Sequence, residues 1–383
     1  GAGRAGGSGF SSGAGRQLVL DAGPSAVVAG DQTNRMVTGA RNRYHRFPLR
    51  PGCGAAVTAP HLRDRTTLLD SKWQGLPEPV RSPQQLAGVG AVACGATHSL
   101  MERCNFSCTS CYLSEVANDT TPAPFAEAKT QLDALREYLG QGGKGQITSG
   151  EVTLLPVEQL GRIIAYAVDI GLDPMVMTNG QRFLQKPDYL LELVRRFGLG
   201  KTSIHIDTTQ RGRPGLVPGT RERDLHPLRD RFVRLVERVR KETGKQLHAA
   251  QTVTVTADNL SDVPEVMRWA LRNAACFRII SFLPVADVGR TTDRGAGVST
   301  MDRVWRQICV GAGKSLNREA MHFGHRACNI TVPLLVVEQG GKLEIVEAVR
   351  REKKWDQRIF RKLLELLAEC GDSSGGISRN MWA

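Results

Sequence analysis

Three cysteines lie close together in Cys104-Asn-Phe-Ser-Cys108-Thr-Ser-Cys111, in a chain of 383 residues that holds nine cysteines in all. A thiolate is a soft ligand for zinc and iron, so three on one short segment point to metal chemistry rather than to disulfide bridges. Structural zinc usually takes four nitrogen or sulfur ligands from paired knuckles, and no second cysteine pair lies nearby. Three thiolates at this spacing can instead hold three irons of a cubane iron-sulfur cluster, leaving the fourth iron without a local cysteine. A redox dithiol at Cys108-Thr-Ser-Cys111 is a third reading, and it leaves Cys104 without a task.

Other residues could share in the chemistry. Ser203, His205 and Asp207 alternate along one strand-like run and so share a face, which makes His205 a catalytic candidate beside the commoner reading of a hydrogen-bonded structural histidine. Glu151 follows another such run and reads either as a cap or as a cofactor contact, and Asn179-Gly180 is also an ordinary turn dipeptide. Arg211 and Arg213 lie in Thr208 to Gly215, where they could bind a carboxylate or phosphate or simply be solvated. His322, His325 and Cys328 fall within seven residues and could bind a second metal, contact substrate or, at Cys328, supply a hydrogen atom. Cys94, Cys276, Cys309 and Cys370 read as inert thiols.

The elements that must position these groups alternate in type. Strand-like runs are predicted at Ala91 to Ala93, Gln146 to Thr148, Pro174 to Thr178, Ser203 to Ile206, Thr252 to Thr256 and Arg278 to Leu283. Helical periodicity fills the intervals at Pro124 to Leu139, Pro156 to Asp169, Pro187 to Phe197, Leu228 to Glu242 and Val263 to Ala275. Such alternation implies parallel βαβ units, arranged as an open doubly wound sheet or a barrel-like arc, with chemistry at the C-terminal ends of the strands. Beyond Arg290, a Gly/Thr-rich stretch precedes a hairpin of Ile330 to Val337 with Lys342 to Val346, then a basic amphipathic helix.

The cysteine spacing resembles the C-x3-C-x2-C signature of the radical S-adenosylmethionine (radical SAM) superfamily, which lies on the loop after the first barrel strand. The resemblance covers roughly Ala91 to Arg290. Ser149-Gly150-Glu151 resembles the family's Gly-Gly-Glu stretch, whose backbone binds the methionine amino group. Met177 to Gly180 resembles the next strand end, and Phe282 to Val285 with Gly289-Arg290 the last strand and its cofactor-contacting turn. Two departures are Ser110, where an aromatic residue commonly precedes the last cysteine, and Ser149, where the motif has Gly. The resemblance implies a partial (β/α)6 TIM-like barrel with a small α+β C-terminal extension. It also implies a [4Fe-4S] cluster on Cys104, Cys108 and Cys111. S-adenosylmethionine would then sit near Ser149, Gly150, Glu151, Asn179, Ser203 and Pro284, with an external electron donor such as a flavodoxin or ferredoxin. Cleavage to methionine and a 5′-deoxyadenosyl radical, which takes a hydrogen atom from a substrate, would be the activity. The Cys94 and His322–Cys328 regions faintly resemble the methylase-like branch that includes tetraether-lipid-forming enzymes.

Charge carries less information. Lys and Arg number 51 against 38 Asp and Glu, a formal charge of +13. Some of that excess falls within residues 1 to 60, whose Gly, Ala and Arg content reads as a disordered tail. More falls in Arg350 to Lys362, most simply the solvated face of a helix. A non-catalytic iron-sulfur or zinc protein that binds nucleic acid through this basic surface is the rival reading, and anionic lipid is a further conceivable contact. No apolar run approaches a membrane span, and the clustered cysteines suggest a reducing, cytoplasmic setting. The expected organisation is a tail at 1–60, a lead-in at 61–90, the core at 91–290, and a substrate or cap region at 291–383.

Overall fold

The computed structural model describes residues 16–22, 65–93, 96–292, 297–350, 353–356 and 358–359. Six strands pair in sequence order, each parallel to the last: β2 (Ala96–Met101), β3 (Lys144–Ser149), β4 (Asp173–Thr178), β5 (Lys201–His205), β6 (His248–Val255) and β7 (Phe277–Pro284). Parallel neighbours need crossovers. These come from α2 (Phe125–Leu139), α3 (Val157–Asp169), the short α4 (Gln181–Gln185) with α5 (Pro187–Phe197), α6 (His226–Thr243) and α7 (Val263–Arg272). A doubly wound sheet would reverse its strand order at a switch point, and these six strands never do. The architecture is therefore α/β, a partial (β/α)6 barrel: of the two arrangements that the sequence pattern left open it is the barrel-like arc, as the resemblance implied.

Alternation along the strands separates two faces. Ile147, Val176, Ile204, Val253, Ile280 and Phe282 are buried in one hydrophobic core with Leu132, Ile164, Leu190, Phe232 and Met267 of the helices. The alternate positions, among them Met175, Met177, Ser203, His205, Thr252, Thr254 and Ser281, then face the concave side. That face is predominantly polar, which suits a ligand site better than a packed interior.

The structure departs from the sequence expectations at two strands. Ala91 forms only an isolated bridge with Ala87, and the first barrel strand is Ala96–Met101. Its sequence, Ala-Thr-His-Ser-Leu-Met, offers weak alternation because both of its faces carry polar groups. Arg16–Ala22, inside the segment expected to be disordered, forms strand β1, parallel to β7 and antiparallel to β8 (Ile330–Gln339). The run Leu18-Val19-Leu20 is long enough to pair with the β7 edge, which would otherwise expose a ladder of unpaired amides. The rest of the tail, Cys94, and most of the basic C-terminal helix lie outside the described residues.

The expected hairpin is present. β8 pairs antiparallel with β9 (Lys342–Glu347) through Gly340 and Gly341, both at positive φ as a two-residue hairpin turn demands. Two further helices, α1 (Arg65–Gly75) and α8 (Met301–Ala312), flank the arc. Among the described residues no helix is long and apolar enough to cross a membrane.

Two histidines make the fold acid-sensitive. Burial, aided by Arg229 and Arg272, pulls His226 down to about 4, and burial with Arg278 and Lys201 does the same at His248, from an ordinary value of 6.5. Below pH 6.5 the unfolded chain binds protons at these sites that the folded chain refuses, so stability falls with pH. The urea midpoint should therefore drop progressively between pH 6.5 and 4. The drop should be smaller in a His226→Gln, His248→Gln double variant.

Candidate functional site

The three cysteines occupy an irregular loop that leaves the C-terminal end of β2. Having no ladder of its own, this loop is held by other parts of the chain. The amide of Ser107 donates to the Arg211 carbonyl (2.9 Å) and that of Thr109 to the Thr209 carbonyl (2.9 Å), so the loop after β5 forms two rungs against it. From the other side, the Thr292 amide donates to the Thr109 carbonyl (2.8 Å), the Arg290 amide to the Leu113 carbonyl (2.8 Å), and the Cys111 amide to Thr291 Oγ1 (3.0 Å). The Cys104 amide donates to Asn118 Oδ1 (3.0 Å), and Asn179 Nδ2 at the end of β4 donates to Asn105 Oδ1 (2.8 Å). Gly289, at φ +58, lies so close to the Tyr112 backbone that a Cβ would stand 2.3 Å from its carbonyl.

All three thiols are half-buried. Burial pushes Cys104 up to about 11, and burial with the Asp207 charge pushes Cys108 up further, so a metal would have to displace their protons. The Phe106 amide donates to Cys104 Sγ and Arg290 Nε to Cys111 Sγ, both at 3.4 Å. Among the described residues no three Cys, His, Asp or Glu side chains converge as a single metal ion would require. A cluster makes a different demand, one thiolate per iron, and the chemistry of this donor set fits it.

Glu151 is buried, and its carboxylate is fully engaged. Oε1 accepts from the Thr153 amide (3.1 Å), Thr153 Oγ1 (2.5 Å) and Thr178 Oγ1 (2.6 Å), and Oε2 accepts from the Asn179 amide (2.7 Å). It thus caps one turn and ties the end of β3 to that of β4. Ser149 stands at φ +117, the only non-glycine residue at positive φ among those described. Its hydroxyl meets Ser99 Oγ (2.6 Å) and its carbonyl accepts from Tyr112 Oη (2.5 Å).

On the concave face, His205 Nε2 meets Asp207 Oδ2 (2.5 Å) and Thr254 Oγ1 (3.1 Å). Asp207 is fully buried. Burial alone would raise it, but the His205 charge and hydrogen bonds from His205, Thr209 and the Thr254 amide hold it well below the usual carboxylate range. Nε2 is the ring nitrogen engaged by that carboxylate, which leaves Nδ1 outside the pair. Ser203 Oγ lies 3.0 Å from Thr252 Oγ1, and Pro284 ends β7 opposite Val255.

Arg213, a candidate for substrate binding, is buried and serves the scaffold. Its guanidinium donates to Gln210 Oε1 (2.8 Å), the Asn179 carbonyl (2.7 Å) and the His205 carbonyl (3.0 Å), and it covers the Phe106 ring at 5.0 Å. His322, His325 and Cys328 form no metal group among the described residues. The segment is fastened instead to residues 84–86, with the Leu86 amide donating to the His322 carbonyl (2.8 Å) and the Gly324 amide to Gln85 Oε1 (2.8 Å). A cavity of about 630 Å³ opens beside Cys104, lined by Arg103, Asn105, Asn118, Pro156 and Gln159 among others.

Comparison with known proteins turns on this loop and barrel. The chain is 26% identical over 201 residues to 7,8-dihydro-6-hydroxymethylpterin dimethyltransferase of Methanocaldococcus jannaschii, a match covering 52% of this chain and 38% of that protein. The likeness is to radical SAM enzymes. A solved structure of histidine-tagged anSMEcpe with AdoMet bound matches 50% of this chain and 52% of its own, at 14% identity and a TM-score of 0.37. The chain spans well under half the length of the curated relative, and no family model matches it. Against the radical SAM motif, Ser149 keeps the backbone conformation that glycine would adopt. Tyr112 places an aromatic hydroxyl beside that same backbone, although position 110 carries serine.

Adjacent substitutions here should act with opposite sign. A Cβ on Gly150 would stand 2.2 Å from the Arg103 carbonyl and 2.3 Å from that of Glu102, so Gly150→Ala should destabilise by about 1–3 kcal/mol. Ser149→Gly relieves a strained φ of the kind worth about 1–3 kcal/mol, though it also removes the contact with Ser99. Its denaturation midpoint should equal or exceed that of the parent chain.

Proposed function

We propose that this chain is a radical SAM enzyme that cleaves S-adenosylmethionine at a [4Fe-4S] cluster on Cys104, Cys108 and Cys111 and abstracts a hydrogen atom from a substrate on the concave face. The observation that carries the reading is the clamped three-cysteine loop at the C-terminal mouth of a partial (β/α)6 barrel, bonded through Tyr112 to the strand end at Ser149. When bound, the cluster and S-adenosylmethionine would supply methionine and a 5′-deoxyadenosyl radical, with the electron coming from an external donor such as a flavodoxin or ferredoxin.

The chain's own residues do the rest. The loops after β5 and β7 fix where the thiols stand, and Ser149-Gly150 offers backbone groups to the methionine end of the cofactor. Glu151 acts at one remove, holding the β3 and β4 ends in register. Asn179, Ser203 and Pro284 border the cofactor. His205, oriented by Asp207, presents Nδ1 to the substrate side and can accept a proton or hydrogen bond there. Among the outcomes open to a substrate radical, the M. jannaschii relative's name supports methyl transfer.

Anaerobic reconstitution of the full chain should load about four irons. Dithionite with S-adenosylmethionine should then yield 5′-deoxyadenosine. Iron loading without that product would sink the enzymatic reading, and a Cys108→Ala chain that kept the full cluster would refute the ligand assignment. His205→Asn should keep basal 5′-deoxyadenosine formation within about twofold of the parent, since general acid–base loss of about 100-fold or more would fall on the substrate step. A basal rate that collapsed with the cluster intact would move His205 to the cofactor side.

A further inference from the structure

We propose that Arg290 is a positioning residue that raises the reduction potential of the cluster through its guanidinium at Cys111. The inference rests on the cluster reading and goes beyond it, because it assigns a tuning task to one side chain.

The geometry is unusually constrained for an arginine at a loop. Nε donates to Cys111 Sγ at 3.4 Å, and NH2 donates to the Phe106 carbonyl at 3.2 Å. One guanidinium therefore spans the loop from its middle to its last cysteine. The backbone beneath is fixed on both sides, by the Arg290 amide on the Leu113 carbonyl, by the close approach of Gly289 to Tyr112, and by Thr291 Oγ1 on the Cys111 amide. The fork is thus aimed at the sulfur and does not sweep through solvent.

Four charged groups surround the thiols. Asp207 and Glu151 are buried anions whose charges reach Cys108 and Cys104 respectively, while Arg213 and Arg290 are the cations. Of these, Arg213 is spent on carbonyls and on the Phe106 ring, and Asp207 on His205, Thr209 and Thr254. Arg290 alone among the four has a hydrogen bond to a thiol sulfur. Adding one electron to a thiolate-ligated cluster adds negative charge beside these sulfurs. A fixed N–H···S bond from a cation stabilises that reduced state, and hydrogen bonding to the sulfurs is a principal lever on cluster potential. Two buried carboxylates nearby push the other way, so Arg290 offsets a field that would otherwise make reduction harder.

The test is a potentiometric titration of the reconstituted full chain, followed by the electron paramagnetic resonance signal of the reduced cluster, after iron has been counted in each sample. Arg290→Met should lower the reduced-to-oxidised ratio at a fixed ambient potential about tenfold, which for one electron is 59 mV. Arg290→Lys keeps the charge without the fork and should recover much of that shift, and Arg290→Gln keeps a donor without the charge and should lie between Met and Lys. A cluster in Arg290→Met that titrates within about twofold of the parent ratio overturns the proposal. If Arg290→Met fails to load iron, Lys and Gln variants that both titrate like the parent overturn it equally, since a purely structural arginine would change occupancy and leave the potential alone. A parent chain that loads no iron refutes the cluster reading itself and takes this inference with it.

Discussion

The site depends on a loop that cannot hold itself. Between β2 and α2 the segment that carries the three cysteines has no helix or strand of its own, and its backbone amides draw on partners elsewhere in the chain. The two rungs from Ser107 and Thr109 to the loop after β5 supply this on one flank, and Thr291 and Thr292 after β7 supply it on the other. These partners are a hundred or more residues away in sequence. The cysteine geometry is accordingly a property of the assembled partial barrel, and the loop cannot be read as a portable motif.

The strand ends that provide those partners are themselves tied by buried carboxylates. Glu151 links β3 to β4, and Asp207 links β5 to β6 through the Thr254 amide. Glu222, paired with the buried Arg229, accepts from Thr208 and Asn259 beyond the same two strands. A buried ionised carboxylate is unfavourable unless its oxygens are satisfied, and each of these accepts several donors. The arrangement stiffens the mouth of the barrel where flexibility would blur the position of the thiols. It also explains why so many acidic residues lie inside a chain with a large positive surplus.

Much of this was legible beforehand. The five later barrel strands, the helices between them and the Gly-Gly hairpin follow from apolar periodicity and turn chemistry, with ends that differ by only a few residues. The first barrel strand was misplaced because His98 and Ser99 break its alternation. Strand β1 was missed because a short run inside a glycine-rich tail has no local signature, and its partners are visible only in three dimensions. The three clustered cysteines stand out in the sequence, whereas Arg213 and Glu151 do not reveal there that their polar atoms are already used by the scaffold. Nothing in the sequence marks Tyr112 as the donor to the Ser149 carbonyl, because the two residues meet only in the folded chain. Asp207 was visible as a polar strand residue, but its role in orienting His205 required the distances.

The pairing of β1 has a temporal side. Val19 is registered with Ile279 and with Pro333, so a strand made early in synthesis must wait for nearly the whole barrel and then for β8 before its amides are satisfied. Contacts of such long sequence separation form late and slowly. Until then the newly made β7 and β8 carry open edges, the surfaces on which strands of different molecules join. During biogenesis, the interval between synthesis of β8 and its capture of β1 leaves both β7 and β8 open to strands of other molecules.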